Sequence, residues 1–568
     1  MSNIFISADL PSIFSGKGIG FIDPHKECFK YQPPGCRTKE KTTAFFWHLD
    51  KDHDEIARLE DQFEPFKQPL FGVTAETFKS KYFNGTVLRF PFRTADIMSD
   101  LSKTTYDREK VLDLVLSLNA NAHHMLLFLR KLQCVEVYEK TQDGKTSKLL
   151  EIKIEESYRK LIKQKLAEFQ RKINIEWRGQ SSVSVTYPIA MKVEIWGVDA
   201  SAKTTNVNVW LVSQYYAGAE ESPAVTLSSD KGHLPLVGVA LPIEASSGQT
   251  PCDTEPGGHV FCFLPLPLER KSPTGLKFHI HGNFAVDQNR RHIKWPSADR
   301  DATRLTEDAL LWNKFLVNVV LPKAVLGAIA YLTQMPPSDG NIPTHFLGVL
   351  KEGLRNDAEF IARLVYAVFP NVALVNPQWT GLTEAIYRHV WTQTFFHTLP
   401  GKWIAYRDAI FECIDAIDPV SKLIESILCE DKRNLVSIPR YVTNQLPVDA
   451  KYVTPNIVRD SLRNVQYQKD LKDEERRCLL DYLLQFSKDT DLVGLVLLPL
   501  EDGTWTEFET ARSVKKVYVA SKEHPQSLLP GLEGRFLKSG IALMAIKPLI
   551  ERGNFVMKYF RNYLNPYA

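Results

Sequence analysis

The chain has 568 residues, which is too long for a single hydrophobic core and predicts three or four domains. Hydrophobic residues make up 44% and charged residues 24%, as in soluble globular proteins, and a net charge of +3 argues against a dedicated nucleic-acid binder. The eight cysteines show no Cys-x-x-Cys pair, so we expect reduced thiols in a cytoplasmic protein. The N-terminus does not have the charge and hydropathy pattern of a signal peptide.

Residues 1–150 are predicted to form one α/β unit. Short apolar or alternating runs indicate β-strands, and charged or periodically apolar runs of greater length indicate helices. The predicted strands are 19–22, 87–92 and 134–138. The predicted helices are 52–63, 74–82 and 110–132.

Residues 151–335 are predicted to be a mixed α/β region. It opens with a highly charged helix at 152–172 and continues with alternating, antiparallel strands within 185–215. Further strands are expected at 261–267 and 278–286. The helical segment 306–332 contains the most apolar stretch of the chain, but Asn318, Pro322 and Lys323 interrupt that stretch. It therefore predicts a buried, kinked helix and not a membrane span.

A proline-rich segment at 336–343 is the best linker candidate, and apolar and charged residues recur at helical spacing beyond it. Residues 336–568 are therefore predicted to be mainly helical, with a strand and hairpin turn near 493–508. The expected fold class is a multidomain α+β protein.

Two segments carry a family resemblance. The first runs from Asp9 to His25 and contains Ser-Gly-Lys-Gly-Ile-Gly, and the second, 83–93, reads Phe-Asn-Gly-Thr-Val-Leu-Arg-Phe-Pro-Phe-Arg. Together they resemble the second half of the ATPase domain of sacsin repeats, which is of the heat-shock-protein-90 (GHKL) type. Segments in the rest of the chain resemble later parts of such a repeat. These segments are 210–214, 261–267, 281–291, 452–459, 492–508 and 523–536.

The resemblance implies an incomplete ATPase fold in residues 1–150. In that superfamily the catalytic Glu, the Mg²⁺-binding Asn, the adenine-reading Asp and the lid glycines precede the segment that begins here at Asp9. We therefore expect an N-terminally truncated ATPase domain without a metal site. Three explanations stay open: a fragment, a pocket completed by a partner chain, or a protein that is not an ATPase.

The resemblance also implies candidate site residues. Gly85 and Thr86 correspond to the floor of the nucleotide pocket, where a hydroxyl can both donate to and accept from adenine. Arg290 and Arg291 are candidates for the arginine that a second domain delivers to the γ-phosphate. The alternatives are an ordinary strand start at Gly85 and structural salt bridges at the two arginines.

Several histidines have simpler interpretations. Asp23-Pro24-His25 is read as a turn, and the acidic region around His48 and His53 as a solvated helix start, not a metal site. His279 and His281 alternate with Ile280, so both should lie on one face of a strand, at the surface or an interface.

The resemblance implies a sacsin-like chaperone module that binds client proteins or other chaperones, without a complete ATPase activity of its own. We expect neither nucleic-acid binding nor membrane insertion. The alternative is an ATP-hydrolysing chaperone of the heat-shock-protein-90 type whose nucleotide-binding half is missing. In that case ATP and Mg²⁺ would be its cofactors. A structural scaffold with fixed partners is the third hypothesis.

Overall fold

A computed structural model describes most of the chain. The described residues are 8–25, 43–96, 99–141, 143–176, 181–196, 203–221, 234–244, 257–266, 274–287, 291–295, 304–334, 342–356, 359–399, 401–412, 419–464, 471–486, 492–508, 517 and 533–538. These residues are divided between two compact units. The first consists of Met1–His124, Glu136–Leu150 and Trp196–Ala202, and the second of Met125–Val135, Glu151–Ile195 and Lys203–Ala568. The fold is mixed α/β, as predicted.

The first unit is built on a four-stranded antiparallel sheet in the order β3-β2-β1-β4. Its strands are β1 (Ser12–Gly16), β2 (Gly18–Ile22), β3 (Ala44–His48) and β4 (Phe83–Arg89). Its helices are α1 (His53–Arg58), α2 (Glu60–Phe63), α3 (Ala75–Lys79) and α4 (Arg108–Ala120). The solvated start of α1, with Asp54 and Glu55 in its first turn and no buried residue, confirms the prediction for that region.

One face of this sheet carries an aromatic core. The alternation along the strands buries Phe14, Phe21 and Trp47, and rings from the following helical segment pack onto them. The ring of Phe63 lies 5.5 Å from Trp47 and 5.9 Å from Phe21, both edge to face, a favourable aromatic geometry. The core therefore lies between the sheet and α1–α3.

A second set of strands lies farther along the chain. They begin with the neighbouring strands β5 (Cys134–Lys140) and β6 (Thr146–Ile154), followed by helix α5 (Glu156–Glu176). In the second unit the sheet order is β11-β10-β12-β9-β8-β7. These strands are β7 (Val183–Trp196), β8 (Lys203–Tyr216), β9 (Leu236–Glu244), β10 (Val260–Cys262), β11 (Leu264–Pro265) and β12 (His279–Gly282).

An interrupted helix covers this sheet. It consists of α6 (Arg304–Phe315), one π-helical turn at Leu316–Val320 and α7 (Leu321–Thr333), in which Pro322 occupies the first turn. The segment Asp308–Thr333 is long and apolar enough to cross a membrane, but 56% of its most apolar window is buried inside the protein. The burial of the predicted kinked helix is thus confirmed, and its interruption is the π-helical turn; the helix packs on β8 and β9.

The remaining described residues are mainly helical, as predicted. The helices are α8 (Thr344–Asn356), α9 (Phe360–Val368), α10 (Thr380–Val390), α11 (Pro419–Glu430), α12 (Arg440–Thr443), α13 (Pro455–Asn464) and α14 (Asp473–Phe486). Short strands join them: β13 (Phe396–His397), β14 (Trp403–Ile404), β15 (Ile410–Phe411), β16 (Leu435–Val436), β17 (Lys451–Tyr452), β18 (Leu498–Pro499) and β19 (Trp505–Thr506). Leucines of α11, α13 and α14 form the core of this part.

Some predicted boundaries are wrong. The helix expected over 110–132 ends at Ala120, because Asn121 begins a series of turns. The strand expected over 493–500 forms a ladder only at Leu498–Pro499, with isolated bridges at Val493 and Leu500. Most of the predicted linker at 336–343 lies outside the described residues.

Candidate functional site

The two resembling segments of the first unit meet at a buried ion pair. Arg93 follows β4 and is 1% exposed, and Asp9 precedes β1. The guanidinium holds the carboxylate with two hydrogen bonds, from Nη2 to Oδ1 at 2.6 Å and from Nε to Oδ2 at 3.0 Å. This fork geometry suits arginine and is not available to lysine. A third bond, from Arg93 Nη1 to the carbonyl oxygen of Thr104 at 3.1 Å, ties a further segment to the pair.

Two more side chains complete the cluster around Asp9. Ser99 Oγ donates to Asp9 Oδ1 at 2.6 Å, and His25 Nε2 lies 3.2 Å from the same oxygen. The hydrogen bonds, with that from Arg93 as the strongest, lower the pKa of Asp9 to about 2 against the opposing effect of burial. The carboxylate is therefore ionised and saturated with donors near neutral pH.

This cluster does not have the geometry of a nucleophilic triad. Ser99 Oγ lies 3.4 Å from His25 Nε2, the same ring nitrogen that faces Asp9. A triad needs the nucleophile and the carboxylate on opposite nitrogens of the imidazole, so that one orients the ring while the other loses its proton. The serine proton is, moreover, directed at Asp9. The arrangement joins four segments of the chain and provides no general base for a serine nucleophile.

Gly85 and Thr86 lie on β4, exposed to solvent. The Thr86 hydroxyl is 2.7 Å from Ser15 Oγ of β1, and Ser15 Oγ also donates to the carbonyl oxygen of Gly85 at 3.2 Å. The Phe83 ring occupies the space that a Cβ on Gly85 would need, which is why this position takes glycine. The nucleotide-binding role of these two residues stays a prediction.

Of the two candidate arginines, Arg291 lies in a loop of the second unit. Arg290 lies outside the described residues. The exposed Arg291 donates its backbone N–H to Asp287 Oδ1 at 2.7 Å. The loop is held at its base by Asn313, which is fully buried and bonds the N–H and carbonyl of Ala285 (both 2.8 Å) and the carbonyl of Lys294 (2.9 Å). A γ-phosphate role for either arginine likewise stays a prediction.

The expectation that His279 and His281 lie at the surface or an interface is wrong. They are 4% and 1% exposed, because β12 lies between β9 and β10 and both of its faces are covered. His279 packs against Trp210, with ring centroids 4.7 Å apart, and His281 stacks on Phe128 at 4.9 Å. Burial lowers the pKa of His281 to about 3, so this imidazole is neutral.

An apolar row, which no sequence pattern predicted, crosses the outer face of the four-stranded sheet. Strand register aligns Phe46, Gly20, Ile13 and Leu88 in adjacent positions on the face opposite the aromatic core. Phe46 is 64% and Leu88 56% exposed, and the Phe46 ring lies over Gly20, where a Cβ would collide with it. Among the described residues, the first unit exposes as many large apolar side chains as the much larger second unit. The two ends of the row are thus exposed, while Ile13 is half-buried and Gly20 is covered by the Phe46 ring.

Comparison with known proteins identifies the region. The family model described as Sacsin domain matches residues 2–152, which include both resembling segments and the Asp9–Arg93 pair. The chain is also 30% identical to sacsin from Homo sapiens over 571 aligned residues, which cover 97% of this chain and 12% of that protein. The resemblance to the sacsin family is thus confirmed along nearly the whole sequence. The chain is a sacsin-type region that contains a Sacsin domain.

Proposed function

We propose that this chain is a sacsin-like chaperone module of the cytoplasm that binds client proteins or other chaperones. The first unit is, in this proposal, the C-terminal half of a heat-shock-protein-90-type ATPase fold. The observation that carries the proposal is the apolar row Phe46–Gly20–Ile13–Leu88, which lies on a sheet face away from the core. Proteins that hold unfolded chains need exposed apolar surface of this kind, which ordinary soluble domains bury or keep scattered.

The local chemistry around β4 supports protein binding more than phosphoryl transfer. Among the described residues near Thr86, its hydroxyl partner is a serine, and the charged groups of the Asp9 cluster are occupied with one another. Hydrolysis of ATP requires a positioned metal ion and a group that orients water, and the resemblance places neither in this part of the fold. ATP hydrolysis is retained as the alternative function.

The test is suppression of aggregation. The purified full chain, mixed with heat-denatured citrate synthase, should reduce light scattering equally with and without ATP. Phe46→Lys places a charge in the apolar row and should weaken suppression by about tenfold in effective concentration, the equivalent of one lost apolar contact. Phe71→Lys is the matched control, because Phe71 is similarly exposed (55%) but lies outside the sheet. Absence of suppression by the unmodified chain would reject the proposal.

ATP hydrolysis should be measured in parallel. The double variant Arg290→Ala/Arg291→Ala should have the same ATP turnover as the unmodified chain if no catalytic site is formed. A measurable turnover that falls in the double variant would favour the alternative function and would assign the phosphate-contacting role to this loop.

A further inference from the structure

Strand β4 is an edge of the four-stranded sheet. In the described part of the chain it pairs with β1 alone, while β3 forms the other edge. Successive residues of an edge strand direct alternate N–H and C=O groups away from the sheet, where they can bond another strand. At the β3 edge, His48 uses its own backbone for the turn into α1: its N–H donates to Asp52 Oδ2 at 2.7 Å, and its carbonyl accepts from two N–H groups.

The ladder between β4 and β1 shifts register opposite Ser15 and Gly16, but the central residues of β4 lack the side chains that normally protect an edge. Natural edges are blunted by proline, by lysine or by charged residues that face inward. The segment from Asn84 to Leu88 contains no proline and no charged residue, and its Leu88 is 56% exposed. The side chains of Thr86 and Leu88 both lie on the outer face of the sheet, and Leu88 is the last residue of the apolar row. A strand added beside β4 would place every second side chain next to this row.

Two cations flank the same edge. Lys81 precedes β4 and Arg89 ends it, and within the described residues neither forms an ion pair with a carboxylate. Lys81 adopts a left-handed backbone conformation (φ 58°), which asparagine or glycine would occupy at lower cost. Eight residues of chain separate the two positions, so they can lie at most about 26 Å apart, at about 3.3 Å per residue. The edge thus combines an apolar centre with positive charge at both ends.

We propose that β4 accepts an extended, apolar segment with acidic ends from a partner protein as a fifth strand of this sheet. The proposal rests on the protein-binding function above and specifies how that binding occurs. Main-chain hydrogen bonds supply affinity for any extended segment, and specificity comes from alternate apolar side chains beside Leu88 and from carboxylates near Lys81 and Arg89.

The first experiment uses three synthetic peptides and the full chain. The test peptide alternates valine and threonine over seven residues and has two aspartates at each end. A second peptide has lysine in place of aspartate, and a third is the test peptide with N-methyl groups on alternate amides of one edge. Two versions of the third peptide are made, one for each set of alternate amides, because only one of the two sets would face β4 and lose its hydrogen bonds on methylation. By fluorescence anisotropy, we expect about tenfold weaker binding for the lysine peptide and for one N-methylated peptide.

The second experiment uses variants of the protein. Lys81→Asn removes a charge and suits the left-handed conformation, so it should weaken binding of the test peptide by about threefold without lowering the unfolding midpoint. Arg89→Gln should have a similar effect on affinity. Lys51→Asn is the matched control, an exposed lysine of the same unit away from β4, and should leave affinity unchanged.

The outcomes separate this proposal from the function on which it rests. Equal binding of both N-methylated peptides and the unmodified peptide would overturn strand addition, and so would equal affinity for the lysine peptide. Suppression of citrate synthase aggregation would then still support a protein-binding function. Failure of both the peptides and citrate synthase to bind would reject the proposed function itself.

Discussion

At the scale of single residues, the most consequential contact is the one between Asp9 and Arg93. The two are separated by 84 positions, and both belong to segments that resemble the sacsin family. Their contact joins the start of β1 to the end of the neighbouring strand β4, because Asp9 precedes β1 and Arg93 follows β4. Arg93 is buried and makes at least three hydrogen bonds, so it acts as a structural anchor. Its removal would leave the Asp9 carboxylate in a site built around an ion pair.

We predict that Arg93→Met lowers the free energy of unfolding by about 3 kcal/mol, since Asp9 loses its partner while still largely shielded from water. Urea denaturation followed by circular dichroism measures this. Lys79→Met is the control, because it removes the exposed pair between Lys79 and Glu76 and should leave the midpoint unchanged. An equal effect of both substitutions would contradict the anchoring role.

His281 makes stability depend on pH. Burial, reinforced by the nearby Arg130 guanidinium, lowers its pKa to about 3, although a hydrogen bond with the carbonyl of Phe261 opposes this. Between about pH 6.5 and 3 the unfolded chain binds a proton that the folded chain does not, so stability falls as pH falls, by about 1.4 kcal/mol per pH unit for this one group.

We therefore predict that His281→Gln, which cannot titrate, shows a smaller loss of stability between pH 7 and pH 5.5 than the unmodified chain, by about 1.4 kcal/mol. Urea denaturation at the two pH values gives the difference. The contributions of the other histidines are the same in both proteins and cancel when the variant is compared with the unmodified chain. Asp9 does not interfere, since its lowered pKa of about 2 means that its contribution is present above about pH 4 and lost only in stronger acid. An identical pH dependence in both proteins would contradict a buried neutral His281.

At the scale of elements, the glycines of turns differ in what surrounds them. Gly275 has φ +72°, and a Cβ there would collide with the carbonyl of Leu374 and lie 2.8 Å from the Cα of Val375. Gly401 has φ +90°, but nothing lies within 4 Å of the position that a Cβ would take. Both positions need the left-handed conformation, but only Gly275 also needs the absence of a side chain.

Alanine substitutions at Gly275 and Gly401 test this difference, with Gly401 as the control. Gly401→Ala should cost about 1 kcal/mol of unfolding free energy, the cost of a left-handed alanine. Gly275→Ala should cost about 3 kcal/mol or more, because rigid backbone atoms must also move. Urea denaturation of the two variants measures both values. Similar costs would contradict the prediction, because they would show that the backbone around Leu374 moves away from the added Cβ at little energetic cost.

Helix α4 is an element without a buried residue. Its 13 residues include several leucines and valines, of which Leu114 is 51% and Leu116 64% exposed. Helices of this length gain most of their stability from burying an apolar face against the protein. An apolar helix that buries no residue is therefore held more weakly than α7, in which seven residues are buried.

At the scale of the whole molecule, we predict that the two units differ in local stability. Hydrogen exchange followed by mass spectrometry should show weak protection in α4 and the rest of the first unit, and strong protection in β8, β9 and α7. The physical reason is that opening the first unit exposes a small aromatic cluster, while opening the second exposes a long sheet with a buried helix. Equal protection in α4 and α7 would contradict this ranking.

Most of the element types could be predicted because their patterns are local. The alternation along β7 and β8 and the apolar period of 321–333 are properties of adjacent residues, so the sequence shows them directly. Boundaries were less predictable. The helix of 110–132 ends at Ala120. The apolar run near 493–500 forms a ladder of only two residues, flanked by isolated bridges, because pairing depends on partner segments that local patterns do not specify.

The sequence by itself determined the family, the mixed α/β class and many of the individual helices and strands, since motifs and periodicities are local features of one chain. Only the tertiary structure decided that Asp9, His25, Ser99 and Arg93 share one cluster and that β12 is internal, which buries His281. It also decided that four strands align an apolar row on an outer face. The physical reason is that burial and electrostatic partnership depend on which distant segments pack together, and strand register sets this over separations that no local pattern spans.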